Sequence, residues 1–273
     1  MYFPYEETFI FMVIYYIFSG MGYLLAPKID ISKLHHSKEV HSYHCLYNAF
    51  IHAFTTTILV IIKISLEGIK DGDIPSNFSY IILAHSLGYF MHDFVKNQLL
   101  ASIDITSELH HIICLYGFAT TLTNEYGGTE ISNGMILAEF SNIFLKLRAL
   151  MKFYNLKNNK LYFINELIFA IVFLLLRIVI GPLYTFSWIF HPKTPLVTVS
   201  FGTLLNLVSV IWISEILVII CLKLAMNPKS RFVNLYKKIS YGLKESRNIK
   251  ILFYSLMIVP QLVIEFFLYQ TLR

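Results

Sequence analysis

Residues 107–118, SELHHIICLYGF, put two adjacent histidines, His110 and His111, at the head of an apolar run. A neutral imidazole can take a proton from a hydroxyl or amine and return one to a leaving group. It can also attack a carbonyl and carry the acyl group. Neighbouring side chains on a helix project about 100° apart. One ring can therefore face a cavity while the other binds a carboxylate, which fixes its tautomer. A carboxylate is at hand in residues 84–94, AHSLGYFMHDF. There His85, Tyr89 and His92 fall at i, i+4 and i+7 on one helical face, with Asp93 beside it. Residues 137–150, LAEFSNIFLKLRAL, place Glu139 mid-helix, Asn142 nearly a turn on and Arg148 at the helix end. His52, Arg177 and Glu215 complete the set of polar side chains in apolar surroundings. Three titratable groups crowded together at His110, His111 and Asp93 favour a functional pocket over a packing device. For Arg177 and Glu215 a structural role is an equal expectation, with Arg177 pairing with Glu139 or Glu215 to fix helix packing.

The elements that must position these groups are apolar. Hydrophobic residues are 56% of the 273-residue chain, charged residues 14%, and the mean hydropathy is +0.61. A soluble domain carries about 25% charged residues, so this composition predicts an all-α, polytopic membrane protein. Stretches approaching or reaching spanning length, about 20 residues, lie at 9–25, 44–64, 78–95, 109–122, 131–147, 161–180 and 199–222. That is a bundle of about seven transmembrane helices, the fourth short enough to begin a turn earlier. An eighth candidate, 251–269, contains Pro260 and Glu265. Glu6 and Glu7 precede the first run, where a signal peptide would want positive charge, so that run is expected to be retained.

Lys and Arg alternate between loops. With the N-terminus outside, the inner loops carry Lys28, Lys33 and Lys38, then Lys96, then Lys152, Lys157 and Lys160, then seven basic residues from Lys229 to Lys250. The outer loops offer Lys70 and Lys193. The positive-inside rule then sets a lumenal N-terminus and cytoplasmic basic loops. The net charge of +5 is thus a topology signal, and no nucleic-acid partner is expected. Residues 232–243 alternate apolar residues and lysines at helical spacing, which suits a helix lying on an anionic leaflet. Glycosylation is not assumed at the Asn77-Phe78-Ser79 sequon, which sits close to a helix. Cys45, Cys114 and Cys221 lack any regular spacing and read as small buried hydrophobes.

The order and spacing of several segments resemble the TLC-domain family (TRAM, LAG1 and CLN8 proteins). These are NAFIHAF at 48–54, SLGYFMHDF at 86–94, ELHHIICLYGF at 108–118, LAEFSNIFLKLR at 137–148 and FLLLRIVIGP at 173–182. The chain is similar to the TLC-domain-containing subgroup rather than to the ceramide synthases. The resemblance implies a TLC-type helical barrel with a lipid-accommodating cavity, in the endoplasmic reticulum, concerned with membrane lipid composition. It divides the chain into a first helix and loop (1–43), the TLC domain (44–222) and a basic segment with an apolar helix (223–273). The similarity to ceramide synthases at the histidine pair would make His110 and His111 an acyl-transfer centre. Their next signature, roughly H-D-x-x-D, is here Ala138-Glu139-Phe140-Ser141-Asn142. An acid/base and one carboxylate are missing, so the same reaction is not expected unchanged.

The expected function is lipid homeostasis through a polar intramembrane cavity, with membrane lipids or acyl chains as partners and a homo-oligomer left open. If the protein is catalytic, the expectation is acyl transfer from acyl-CoA as co-substrate, without a further cofactor. His110 or His111 would be base or acyl carrier, and Asp93 and Glu139 would orient it. Arg148 would meet a phosphate at the cytoplasmic mouth. His52, Tyr89, Asn142 and Arg177 would contact substrate. A non-enzymatic cargo receptor is the alternative. A metal site is not expected: His35, His36, His41 and His44 form no recognisable histidine-box pattern. A seven-helix receptor is disfavoured by HDFVKNQ where D-R-Y would stand.

Overall fold

The computed structural model describes residues 5–25, 37–100 and 105–224. The predicted basic loop 26–36, the basic stretch 232–243 and the eighth candidate 251–269 lie outside the described residues. So do the side chains of His41, His44, Glu215 and Cys221. The described residues form helices joined by short connections, without strands: α1 Tyr5–Leu25, α2 Ser37–Glu67, α3 Asn77–Leu100, α4 Ile105–Thr123, α5 Gly128–Phe153, α6 Lys160–Phe173, α7 Gly181–Ser187 and α8 Leu196–Leu224. Each predicted span falls on a helix, and the fourth does begin a turn earlier than 109.

Local chemistry sets the boundaries. Gly127, with φ of 96°, turns the chain into α5 in a conformation that disfavours a side chain. Asn155, also left-handed at φ 59°, ends it, and Asn159 caps α6 by accepting from the Leu161 amide at 2.9 Å. The segment 161–180 is not one α-helix. Between α6 and α7 the residues Leu174–Ile180 form a π-helical turn, and the rod runs on past residue 180 through α7. Pro182 accounts for this. In a continuous α-helix its ring would clash with the carbonyl four residues back, and the wider turn is a recognised way to absorb the misfit.

The helices close into a ring. α2 packs on α3, α3 on α4, α4 on α8, α8 on α7 and the π turn, these with α6 on α5, and α5 back on α2. α1 lies against α2 and α3. Cys45–Glu67, Lys160–Phe190 and Leu196–Ile213 are long and apolar enough to cross a membrane. α3 and α5 are less apolar because they carry the polar residues of the interior. The segregation is inside-out relative to a soluble protein: Leu161, Phe163, Leu167, Ile171 and Leu175 on the α6 side are exposed, whereas His52, His92, Asp93, Glu130 and Glu139 are buried. A face like that of α6 suits lipid, where buried polar groups must be satisfied within the bundle.

Candidate functional site

Among the described residues, three polar groups of the interior lie close to a cavity. In the first, α3 presents His85, Tyr89 and His92 to α1 and α2, as their spacing predicts. Tyr15 of α1 hydrogen-bonds His85 Nε2 at 2.7 Å, and Thr56 meets the other nitrogen at 3.3 Å. The His52 ring stacks on Tyr89 with centroids 4.0 Å apart and planes 11° from parallel, and its Nε2 reaches Ser86 at 3.2 Å. Ser19 accepts from Asn48 at 2.7 Å and Lys96 at 3.0 Å, so its own proton is directed to His92 Nε2 at 3.1 Å.

The second group is the predicted histidine–carboxylate pair. His111 Nε2 lies 3.0 Å from Asp93 Oδ2, which also accepts from Asn97 at 2.9 Å. Asp93 therefore fixes the His111 tautomer with the proton on Nε2. His111 Nδ1 is buried and meets no hydrogen-bond partner among the described residues.

The third group joins α5 to the π turn and α8. Glu139 Oε2 accepts from Asn142 at 3.1 Å and lies 3.7 Å from His52 Nδ1. Arg177 does not touch Glu139. Its Nη2 donates to Asn142 Oδ1 at 3.1 Å and to the Ala138 carbonyl at 2.7 Å, and its Nε donates to Ser141 at 3.1 Å. Nη1 reaches Ser209 at 3.4 Å, and the guanidinium lies over Phe173 and Trp212. The expected Arg177–Glu139 ion pair is thus relayed through the Asn142 amide. The π turn widens the helix where Arg177 enters the bundle.

Between α4, α5, the π turn, α7 and α8 lies a cavity of about 70 Å³. His110, Cys114, Glu139 and Arg177 contribute its polar wall; Phe118 and Trp188 are among its apolar ones. His110 faces this cavity and His111 does not, which is the division of the pair that helical geometry predicts. The His110 ring meets Phe90 and Trp212 edge-on at 5.7 and 5.1 Å.

Of the predicted site residues, the structure brings His110, Glu139 and Arg177 to the cavity wall. His111 with Asp93, His52 with Tyr89, and Asn142 stand behind it. Arg148 is elsewhere: its Nε and Nη2 donate to Glu166 Oε1 at 3.0 and 2.8 Å, with Tyr162 beneath. Glu166 therefore already occupies the guanidinium that was expected to meet a phosphate. Sequence reasoning passed over Cys114, Ser141 and Ser209, which read as ordinary small helix residues, and Tyr15, whose helix was taken only as a first span. It also passed over a cluster at the other end of α5. There Lys63 donates to Asn133, Asn133 and Tyr184 donate to Asp71 at 3.0 and 2.8 Å, and Thr194 and the Gly72 amide donate to Glu130. Lys63 within VIIKIS was the one signal for it. Glu130 precedes the predicted span 131–147, and burial pushes its carboxyl above its ordinary value of 4.5, against the lowering effect of the Thr194 hydrogen bond. Among the described residues no group of three His, Cys, Asp or Glu is placed to hold a metal ion.

A family model for the TLC domain (TRAM, LAG1 and CLN8) matches residues 9–225. The chain belongs to this family. It is similar to TLC domain-containing protein 2 of Danio rerio, 26% identical over 136 residues, covering 48% of this chain and 54% of that one. It is also similar to TLC domain-containing protein 1 of Homo sapiens, 26% identical over 145 residues, covering 50% and 57%. The mouse counterpart is 32% identical over 105 residues, covering 36% and 40%. The chain thus spans about half the length of the first two of these relatives. No solved structure matches it. Family and apolar helices together mark an integral membrane protein with a role connected to membrane lipids, and the relatives are TLC domain-containing proteins rather than ceramide synthases.

Proposed function

We propose that this protein binds an acyl chain of a membrane lipid in the cavity between α4, α5, the π turn and α8, and that it influences membrane lipid composition through that site. We place it in the endoplasmic reticulum on the family resemblance, and set the N-terminus lumenal and the basic loops cytoplasmic on the charge pattern of the loops. The observation that carries the reading is the composition of the cavity wall: the ionisable His110, Glu139 and Arg177 converge on a space whose other lining is mostly aromatic and aliphatic, with the uncharged polar side chains of Thr185, Asn206 and Ser209 among it. Ionisable groups within apolar helices are costly and are retained where they serve a pathway or a site. Ligand pockets usually enclose about 300–1,000 Å³, so a whole acyl chain requires Trp188 or Phe201 at the cavity wall to swing aside. If the site is catalytic, its reaction is acyl transfer from acyl-CoA. His110 is then base or acyl carrier, Arg177 faces the carbonyl, and Asp93 with His111 is a positioning pair.

The test is lipid retention. Wild-type protein and a cavity-filling Leu205→Trp variant are purified in mild detergent, and co-purifying lipid is measured by mass spectrometry. Leu205 is on the cavity wall. The reading expects lipid with wild type and a several-fold loss in the folded variant. Equal lipid in both would place binding elsewhere.

A further inference from the structure

We propose that Cys114 and His110 form a thiol–imidazole pair that takes up an acyl group as a thioester, making Cys114 an acylation site inside the cavity. The inference rests on the acyl-binding reading above and adds a nucleophile to it.

The two residues are one turn apart on α4, the spacing at which side chains meet. Cys114 Sγ is 3.7 Å from both Nδ1 and Nε2 of His110, a position off the ring plane, and turning the ring about its Cβ–Cγ bond brings one nitrogen's lone pair to the thiol. Both residues line the cavity. The His110 nitrogens have no other hydrogen-bond partner among the described residues, although the ring sits between Phe90 and Trp212. A polar ring in such surroundings is costly unless something partners it, and the thiol is what faces it. His111, held by Asp93, is not available for this role. Cys45 provides an internal contrast: its sulfur lies 3.8 Å from Asn97 Oδ1, and it is not on the cavity wall.

The chemistry balances with an acyl-CoA thioester as donor. Sγ attacks the carbonyl carbon while His110 removes its proton. Base-assisted attack does not require a thiolate formed beforehand, which burial would oppose. Negative charge developing on the carbonyl oxygen faces the Arg177 guanidinium on the same wall. The C–S bond to CoA breaks, and His110 returns the proton to the leaving thiolate. One thioester replaces another, and no oxidant or reductant is consumed.

The test incubates full-length protein in mild detergent with palmitoyl-CoA and reads intact mass, the modified peptide and co-purifying lipid. The expected result is one acyl adduct on the peptide containing Cys114. Neutral hydroxylamine should release it, and it should be lost in Cys114→Ala but kept in Cys45→Ala. Cys114→Ser, close in volume, should be unmodified or carry a hydroxylamine-resistant ester. Peptide mapping of the wild type stands alone if a variant fails to fold. Wild type that retains lipid without acylating Cys114, or that carries the adduct on His110 or another cysteine, would overturn the pair and leave lipid binding intact. Neither lipid nor adduct would overturn both.

Discussion

His110 and His111 are neighbours with different tasks. His111 donates to a carboxylate that is 5% exposed, whereas His110 borders the cavity. Removing the donor from a buried carboxylate leaves an acceptor unsatisfied, at a cost of about 1–3 kcal/mol. His111→Ala should therefore lower thermal stability in detergent markedly, and His110→Ala should lower it much less while changing lipid handling. Equal destabilisation by the two variants would contradict this assignment. Glu130 supplies a pH signature. Its folded-state pKa is raised, so its contribution is fully present below the ordinary value of 4.5. That contribution is lost as pH rises through the higher folded value. Glu130→Gln keeps an oxygen to accept from Thr194 and Gly72, and it should flatten this decline in unfolding temperature as pH rises above 4.5. An unchanged slope would argue that Glu130 ionises without cost. At this scale the Asp93–His111 pair was legible because spacing put both groups in one pocket. Arg177 was legible as an inward residue but not its partners, since Ser141 and Ser209 carry no hydropathy signal. Arg148 was legible as a cation at the helix end but its partner was not, because Glu166, a turn and a half into α6, reads as an ordinary polar residue until the two helices are seen to pack.

At the scale of elements, glycine sets how closely the helices approach the cavity. A Cβ on Gly202 would lie 2.5 Å from the Trp188 ring, and one on Gly117 would lie 2.3 Å from Phe201. Overpacking of this kind typically costs about 1–3 kcal/mol. Gly202→Val should cost that much by thermal unfolding and displace Trp188, altering the chain lengths of any co-purified lipid. A stable variant with an unchanged lipid profile would separate Trp188 from the cavity wall. Hydropathy revealed the helices because each carries a long apolar run, and three of them are long and apolar enough to cross a membrane. It did not reveal α7, since Gly181-Pro182 reads as a stop, and the π turn that accommodates Pro182 has no sequence period of its own.

For the whole molecule, a ring of helices with polar groups inside and apolar faces outside is what a bilayer selects. The alternation of basic loops adds orientation. An N-linked acceptor site introduced before α1 should be glycosylated in microsomes, and one placed in the 154–159 connection should not. The reverse pattern would invert the topology. The central claim is that an acyl chain occupies the ring's interior, and photo-crosslinking with a diazirine-bearing fatty acid tests it most directly. Crosslinks should map to cavity-wall residues such as Phe118 on α4, Leu137 on α5 and Leu205 on α8. Crosslinks confined to the outward residues Leu161, Ile171 and Leu175 would mean the lipid merely coats the protein, and would contradict the account.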